Sequence, residues 1–363
     1  MNRVAFLSDL HLGGYNTLGP DKADYRAGIV RTIRYLKDQG INHMVLLGDV
    51  FDNWTFPRTS LPLTYEQMLE HPDNAEIVAA LKEVAADPTM ALHYCRGNHD
   101  WDLPEDLFRT WFPSTQMENN FTLGNVWGEH GHRFDLFNAP DPDNHDPAKG
   151  YRPMGYYITR IHTQAVQDGR LTASGISSSG YITVKVREAS KGILPPMTKD
   201  MSKWTVATLV LEYVVRDAGI SYSDTIMMPD GSSVTVQQVS DAYKDLFKSW
   251  QDEHGLVSAL NSVLAAAEQL DMSAQKVRNE QGKRLVVFGH SHIAKWNPLT
   301  AQIAGKGVTG AYVNDGALCK WSQTSVLVDY LPDTFKVTRL AWDKNGRMTS
   351  EDEEIKNSWP KQN

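Results

Sequence analysis

The sequence predicts an α/β (α+β) chain interrupted by a long, mainly helical insertion. Three observations predict it. Apolar runs without a polar break, such as Met44-Val-Leu-Leu47 and Leu285-Val-Val-Phe288, suit strands buried on both faces of a sheet. Stretches with helical spacing lie between the early runs, giving a strand–helix–strand start. Each run ends in polar residues at the position where open α/β sheets bind ligands.

Taken in order, Val4-Ala-Phe-Leu7 is a strand ending in Ser8-Asp9-Leu10-His11. Asp24 to Gln39 is a helix, with Ile29, Ile33 and Leu36 in phase and Gly40 ending it. The run from Met44 leads into Gly48-Asp49-Val-Phe-Asp52. Ala75 to Ala86 is a helix with Ile77, Leu81 and Val84 on one face, stopped by Pro88. Ala91 to Cys95 is a strand ending in Arg96-Gly-Asn-His-Asp100, and Phe121 to Glu129 is one more, ending at His130. Asn138 to Lys149 is a Pro- and Asp-rich loop without EF-hand spacing. Tyr156 to Gln167 is helical, Leu171 to Gly180 irregular, and Trp204 to Val215 open between helix and strand. An amphipathic stripe runs from Val236 to Trp250, and a further helix from about Leu256 to Glu280. Arg284 to Phe288 returns to the buried-strand pattern and closes at Gly289-His-Ser-His292. Tyr312 to Gly316, Ser325 to Tyr330 and Phe335 to Trp342 read as strands of a second sheet. The expected division is a core of 1–137 and 284–345, an insertion of 138–283, and a polar tail of 346–363 that frays from Thr349.

The chain has 363 residues, and 41% hydrophobic residues can fill a sizeable core. The net charge of −8 works against phosphate binding, so phosphate chemistry here needs local positive charge such as metal ions. From Tyr151 to Lys283 there are 14 Lys+Arg against 14 Asp+Glu and no basic run, which speaks against a track for extended nucleic acid. Cys95 and Cys319 lack metal-type spacing and read as buried thiols of a reducing compartment, with a single disulfide as the alternative. Met1 to Leu10 reads as a strand carrying an acid by position 9, not as a signal or transit peptide. With no apolar run of membrane-spanning length, the expectation is a soluble cytoplasmic protein. The sequence leaves the oligomeric state open.

Five strand ends carry the chemistry: Asp9 and His11; Asp49; Asn98 and His99; His130; and His290 and His292. Carboxylate and neutral imidazole suit borderline cations such as zinc, manganese and iron. Asp9-x-His11 and His290-x-His292 place two donors on one side of an extended segment. One such pair is a common capping arrangement. Five together, on glycine-rich or strand-terminal turns, point to a metal centre, with Asp49 placed to bridge two ions.

This set, with Gly48-Asp49-Val-Phe-Asp52, Gly97-Asn98-His99-Asp100 and Gly289-His290-Ser-His292, resembles the ordered motifs of the calcineurin-like metallophosphoesterases. The resemblance implies a four-layer α/β/β/α sandwich with the site at one end. It implies two divalent transition ions, Mn2+ first, with Fe or Zn2+ as alternatives. Asp9, His11, Asp49 and His292 would hold one ion; Asp49, Asn98, His130 and His290 the other. In the family a hydroxide bridging the ions attacks phosphorus. His99 would protonate the leaving oxygen and Asp52 would orient His99. In Glu129-His130-Gly-His132 the family pattern favours His130 as the ligand, leaving His132 and Asp135 behind the ligands.

The helical insertion, and the stretch Gly48 to Trp54, resemble the UDP-2,3-diacylglucosamine diphosphatase branch, whose insertion is a lid. His99 stands where that branch commonly has arginine, and the insertion here is longer. The lid therefore carries over and the lipid substrate does not. Arg152 and Arg160, just after the acidic loop, are candidates to reach a substrate phosphate, and Trp54, Phe56, Trp101 and Trp127 to wall a pocket. The expected function is hydrolysis of small phosphomonoesters, phosphodiesters or nucleotide pyrophosphates. The alternatives are a metal-bearing scaffold without turnover, or a protein phosphatase.

Overall fold

The apolar runs at the start of the chain become three neighbouring parallel strands in the computed structural model: β1 (Asn2–Leu7), β2 (His43–Leu46) and β3 (Ala91–Cys95). The structure describes residues 2–13, 22–135, 137–139, 152–171, 206–254, 270–303, 306–319, 323–331, 334–343 and 345–356. The helix Lys22–Asp38 connects β1 to β2 and buries Ile29, Ile33 and Leu36; Ala75–Ala85 precedes β3 and buries Ile77, Leu81 and Val84. Both are the faces that the 3.6-residue spacing marked.

The remaining strands are β4 (Gln116–Glu118), β5 (Phe121–Leu123), β6 (Val126–Glu129), β7 (Thr225–Met227), β8 (Ser233–Thr235), β9 (Leu285–Phe288), β10 (Lys295–Ile303), β11 (Lys306–Asn314), β12 (Gln323–Tyr330), β13 (Thr334–Trp342) and β14 (Met348–Lys356). One sheet runs β14-β13-β12-β1-β2-β3-β4, a second β10-β11-β9-β6-β5, and β7 and β8 form a hairpin. Val4, Phe6, Val45, Val326 and Val337 from the first sheet share one core with Val126, Leu285, Val287 and Val313 from the second. This is a mixed α/β fold with two sheets enclosing apolar side chains. Among the described residues no helix is long and apolar enough to cross a membrane.

Several expectations are corrected. Phe121 to Glu129 is not one strand but a hairpin, turning at Gly124 with φ 53°. The later strands do not share one sheet: β11 pairs with β9, whereas β12 pairs antiparallel with β1 and carries β13 with it. The supposed tail contains β14, paired along its length with β13. The ambiguous stretch around 204–215 is a helix, Val206–Asp217.

The chain divides into two compact units: Met1–Asp52, Tyr65–Gly131 and Asp271–Asn363 in the first, Asn53–Thr64 and His132–Leu270 in the second. The expected insertion of 138–283 is therefore shifted at both ends, and most of the helix Leu270–Gln281 belongs to the core unit. The second unit also takes the loop 53–64, because Trp54 is buried in its core with Phe137, Met154, Tyr156, Leu211, Val239 and Phe247. Trp54 and Phe56 are thus buried residues of the second unit, and Trp101 and Trp127 are buried in the first. The readings on 140–151, 172–205, 255–269 and 357–363, including the acidic loop and the Ser/Gly-rich stretch, lie outside the described residues.

Candidate metal centre

Each predicted donor sits just beyond the end of a strand. Asp9 and His11 follow β1, Asp49 follows β2, Asn98 and His99 follow β3, His130 follows β6, and His290 and His292 follow β9. Six non-glycine residues among those described have positive φ, and five are donors: Asp9 (55°), His11 (49°), Asp49 (52°), His290 (67°) and His292 (55°). The left-handed region costs such residues about 1–2 kcal/mol each. Backbone bonds hold them there: Asp9 N–H donates to Gly48 O (3.1 Å), His11 N–H to Asp49 O (3.0 Å) and Gly289 N–H to His130 O (3.1 Å). Gly97 is required because a Cβ there would overlap the Asp49 carboxylate.

The side chains converge. Asp9 Oδ1 lies 2.8 Å from His292 Nε2 and 3.7 Å from His11 Nε2. His11 Nε2 lies 3.1 Å from His292 Nε2 and 3.9 Å from Asp49 Oδ2. Asp49 Oδ2 is 3.2 Å from His130 Nε2, which is 3.1 Å from Asn98 Oδ1. His290 joins Asp49 and His130, their donor atoms within 4.8 Å of one another.

The outer nitrogens fix the ring orientations. His130 Nδ1 is 2.6 Å from Leu47 O, a pure acceptor, so Nδ1 donates there and Nε2 is the nitrogen turned toward Asp49 and Asn98. Asp52 does this for two rings: Oδ2 accepts from His11 Nδ1 at 3.2 Å and Oδ1 from His99 Nδ1 at 2.9 Å. The expected Asp52–His99 pair is present, and Asp52 has a second partner that the motif did not reveal.

Burial alone would neutralise the carboxylates. Instead His292 and His11 hold Asp9, His130 and His99 hold Asp49, and His99 and His11 hold Asp52, each well below the usual carboxylate range. Burial would likewise discharge His130, but Asp49, Asp9 and Asp100 push it up to about 9. Cys319, Asp52 and Asp9 outweigh burial at His11 and hold it well above the usual histidine range. A cluster that keeps three buried carboxylates ionised is built to receive positive charge.

The donors fit divalent transition ions. Asp9 is fully buried, yet its Oδ1 accepts no hydrogen bond, an arrangement that a cation would complete. Two carboxylates, an amide oxygen and four imidazoles form the oxygen and nitrogen set that zinc, manganese or iron takes.

Other predicted residues fall elsewhere. His132 lies in the second unit, and among the described residues the donor groups include His130 but not His132. Asp135 caps its own turn, accepting from Phe137 N (3.0 Å) and Asn138 Nδ2 (2.6 Å). Arg160 is corrected outright. It is fully buried, and its guanidinium donates to Phe56 O, Tyr156 Oη, Met227 O, Pro57 O and Ser60 O. All five N–H donors are used within the second unit, so none is left for a phosphate. Arg152 also lies in that unit, its guanidinium 4.9 Å from the centre of the Tyr156 ring.

Supporting residues surround the donors; of these the sequence marked Asn314 as a structural turn residue and gave Asp100, Ser8 and Asp315 no role. Asp100 is buried and accepts from Val50 N (2.7 Å), Gly97 N (2.7 Å) and Tyr94 Oη, tying the turns after β2 and β3 together. Ser8 Oγ bridges Asp9 Oδ2 and Asp315 Oδ1, the latter at 2.8 Å; burial and the charge of Asp9 push Asp315 well above the carboxylate range. Asn314 donates to Gly289 O at 2.6 Å and steadies the turn bearing His290. For Asp100 and Ser8 the one sequence signal was adjacency to the motifs.

The sequence profile of the calcineurin-like phosphoesterases matches residues 2–169. That span includes every donor up to His130 and stops before His290 and His292, which the fold brings to the same cluster. No curated protein matches the chain. Among solved structures it is similar to a dimetal phosphatase from Danio rerio, with 13% identity over 98% of this chain and 99% of that one and a TM-score of 0.38. It is also similar to Vps29 from Chaetomium thermophilum, at 9% identity over 99% and 100% of the two chains with a TM-score of 0.33. A third likeness is to GAP50, the anchor in the inner membrane complex of Plasmodium, at 10% identity over 99% and 90% with a TM-score of 0.38. These likenesses are distant.

Proposed function

We propose, from the match of residues 2–169 to the calcineurin-like phosphoesterase profile and from the donor cluster, that the chain is a dinuclear metal-dependent hydrolase of small phosphoesters. The observation that carries this reading is the convergence of carboxylate, amide and imidazole donors at five strand ends, with buried Asp9 Oδ1 among them lacking a hydrogen bond. Asp9, His11, Asp49 and His292 would hold one divalent transition ion, and Asp49, Asn98, His130 and His290 the second, with manganese, iron and zinc as the candidates. When bound, the ions supply an activated water and neutralise charge on the phosphoryl oxygens.

The chain's own groups do the rest. Leu47 O and Asp52 accept hydrogen bonds from Nδ1 of His130 and His11 and so turn their Nε2 atoms inward, where each would give up its proton to bind an ion. His99 stands outside both ligand sets, its Nε2 4.0 Å from Asp49 Oδ2. With its Nδ1–H donated to Asp52, His99 turns Nε2 toward the cluster, from where it would pass a proton to the departing oxygen. The substrates are small phosphomonoesters, phosphodiesters or nucleotide pyrophosphates.

The test combines elemental analysis with a substrate panel. Metal-loaded protein should bind two ions per chain and turn over members of a set of monoesters, diesters and nucleotide pyrophosphates. Asp49→Ala should lose both tight ions and nearly all turnover. One ion in the wild type, or two in the variant, sinks the dinuclear reading. A fully loaded protein that turns over nothing sinks the enzymatic one.

A further inference from the structure

Cys319 sits among the donors of the first ion site. Its thiol, His11 and His292 have donor atoms that all lie within 4.8 Å of one another. Neither cysteine forms a disulfide, and Cys319 is partly exposed rather than buried as the sequence suggested.

The backbone explains how a residue with no metal-type spacing arrives there. After β11, Asp315 N–H donates to Phe288 O (2.9 Å) and Leu318 N–H to Ser8 O (3.4 Å). Cys319 N–H then donates to the carbonyl of Asp9 itself, at 3.1 Å. The loop is laced to both turns that carry first-site donors, and Cys319 is pinned beside one of them.

The second observation is Asp9 Oδ1. It is fully buried and accepts no hydrogen bond, although His292 Nε2 lies 2.8 Å away. His11 donates an Nδ1 hydrogen bond to Asp52, so its Nε2 faces the same point. Oxygen, nitrogen and sulfur therefore converge. Two donors bound to one ion at about 2.0–2.3 Å stand no more than about 4.6 Å apart, close to the spacing found here.

We infer that Cys319 Sγ is a direct donor to the first ion, alongside Asp9, His11, Asp49 and His292. This rests on the reading above that the cluster holds divalent ions. On binding, the S–H bond is exchanged for a sulfur–metal bond and the proton leaves to solvent. A thiolate is a soft donor, so the two sites become unlike. The first selects Zn2+, Co2+ or Fe2+ over Mn2+, while the second keeps an oxygen and nitrogen set open to harder ions. The manganese expected from the resemblance then belongs to the second site alone.

Cobalt distinguishes the two levels of the argument. Full-length protein, stripped of metal and kept reduced without added thiol, is titrated with Co2+. Two ions per chain with visible ligand-field bands are expected, together with a near-ultraviolet sulfur-to-cobalt charge-transfer band. Cys95 is buried in the apolar core between the sheets, so it is a built-in control: Cys95→Ser should keep the band and Cys319→Ser should lose it. Cys319→Ser should also reduce the preference of the first site for Zn2+ over Mn2+ at least about tenfold, the lower end of what losing even an outer partner of a ligand costs. Wild-type protein gives a reading that needs no variant: iodoacetamide should label Cys319 in metal-free protein and be blocked by cobalt. Two bound ions without the near-ultraviolet band, or labelling indifferent to cobalt, overturns the Cys319 inference and leaves the dinuclear reading standing. No cobalt binding overturns both.

Discussion

Replacing Asp52 with asparagine asks whether one carboxylate serves two histidines. Its Oδ1 is 2.9 Å from His99 Nδ1 and its Oδ2 3.2 Å from His11 Nδ1, and the residue is buried. Asparagine keeps the shape and one acceptor but turns the other oxygen into a donor. Two Nδ1–H groups then compete for one carbonyl. The losing ring must flip or move its proton to Nε2. On His11 that proton would point where the first ion binds. Losing an outer partner of a metal-bound histidine costs about 10–100-fold in affinity, roughly 1.4–2.7 kcal/mol, in line with a charge-assisted bond of about 1.5–3 kcal/mol. Asp52→Asn should therefore weaken the first ion by about 10–100-fold and leave the second within about threefold, since Asp49, Asn98, His130 and His290 do not depend on Asp52. Competition against a graded chelator reads both constants. At saturating metal, the remaining defect in kcat/KM should be larger for alkyl esters than for nitrophenyl esters. If both ions bind as in the wild type while the leaving-group dependence changes, Asp52 serves His99 alone and the shared-carboxylate argument is refuted.

Three further outcomes are expected. His99→Ala should keep both ions and lose about 10²–10⁴-fold in turnover of esters with poor leaving groups, with nitrophenyl esters far less affected; an equal loss across the panel would remove the proton-donor role. Arg160→Ala should strand four backbone carbonyls in the second unit and lower stability by on the order of 3–5 kcal/mol in denaturant unfolding, with KM unchanged where the protein is folded; unchanged stability with a raised KM would return Arg160 to the substrate. The third concerns pH. The folded pKa of His130, about 9, lies above its ordinary 6.5, so its pairing with Asp49 stabilises chelator-treated protein fully below pH 6.5 and is lost as pH rises through 9. Thermal unfolding of that protein should weaken across this window by on the order of 3 kcal/mol, while apparent metal affinity rises over the same window as protons leave; flat profiles for both would refute the electrostatic account.

The parts of this fold that were legible are those where burial and position coincide in sequence. Met44 to Leu47 is apolar because it lies at the middle of a sheet, and Gly48 and Asp49 follow because the strand ends there. The edges were illegible for physical reasons. β14 carries Glu351, Asp352, Glu353 and Glu354 along its length, as edge strands do to discourage pairing with other chains, so it read as a solvated tail. β10 contains Pro298, tolerated because that strand is the other sheet's edge. Partner choice is not written in a strand's composition, which is why β12 and β13 were placed in the wrong sheet. Arg160 looked like any arginine on a helix; its burial follows from a loop folding over it about a hundred positions earlier in the chain. The candidate metal donors were legible because each keeps its place at a strand end. Cys319 was not, because loop hydrogen bonds rather than a motif deliver it.

The strand order has a consequence for how the protein comes to hold its ions during synthesis. β1 lies between β2, which follows within the first fifty residues, and β12, which spans Gln323–Tyr330. Until β12 emerges from the ribosome, β1 has one open edge, a template for mispairing. The first ion site waits in the same way, because Asp9 and His11 are made at the start while His292 and Cys319 come some three hundred residues later. A nascent chain thus carries an exposed strand edge and half a metal site together, and the closing of the sheet by β12 and the gathering of the last donors are late, nearly simultaneous events. Metal uptake during translation should therefore register the emergence of Cys319 and β12, and fragments ending before β9 should neither load the first site nor bury the edge of β1.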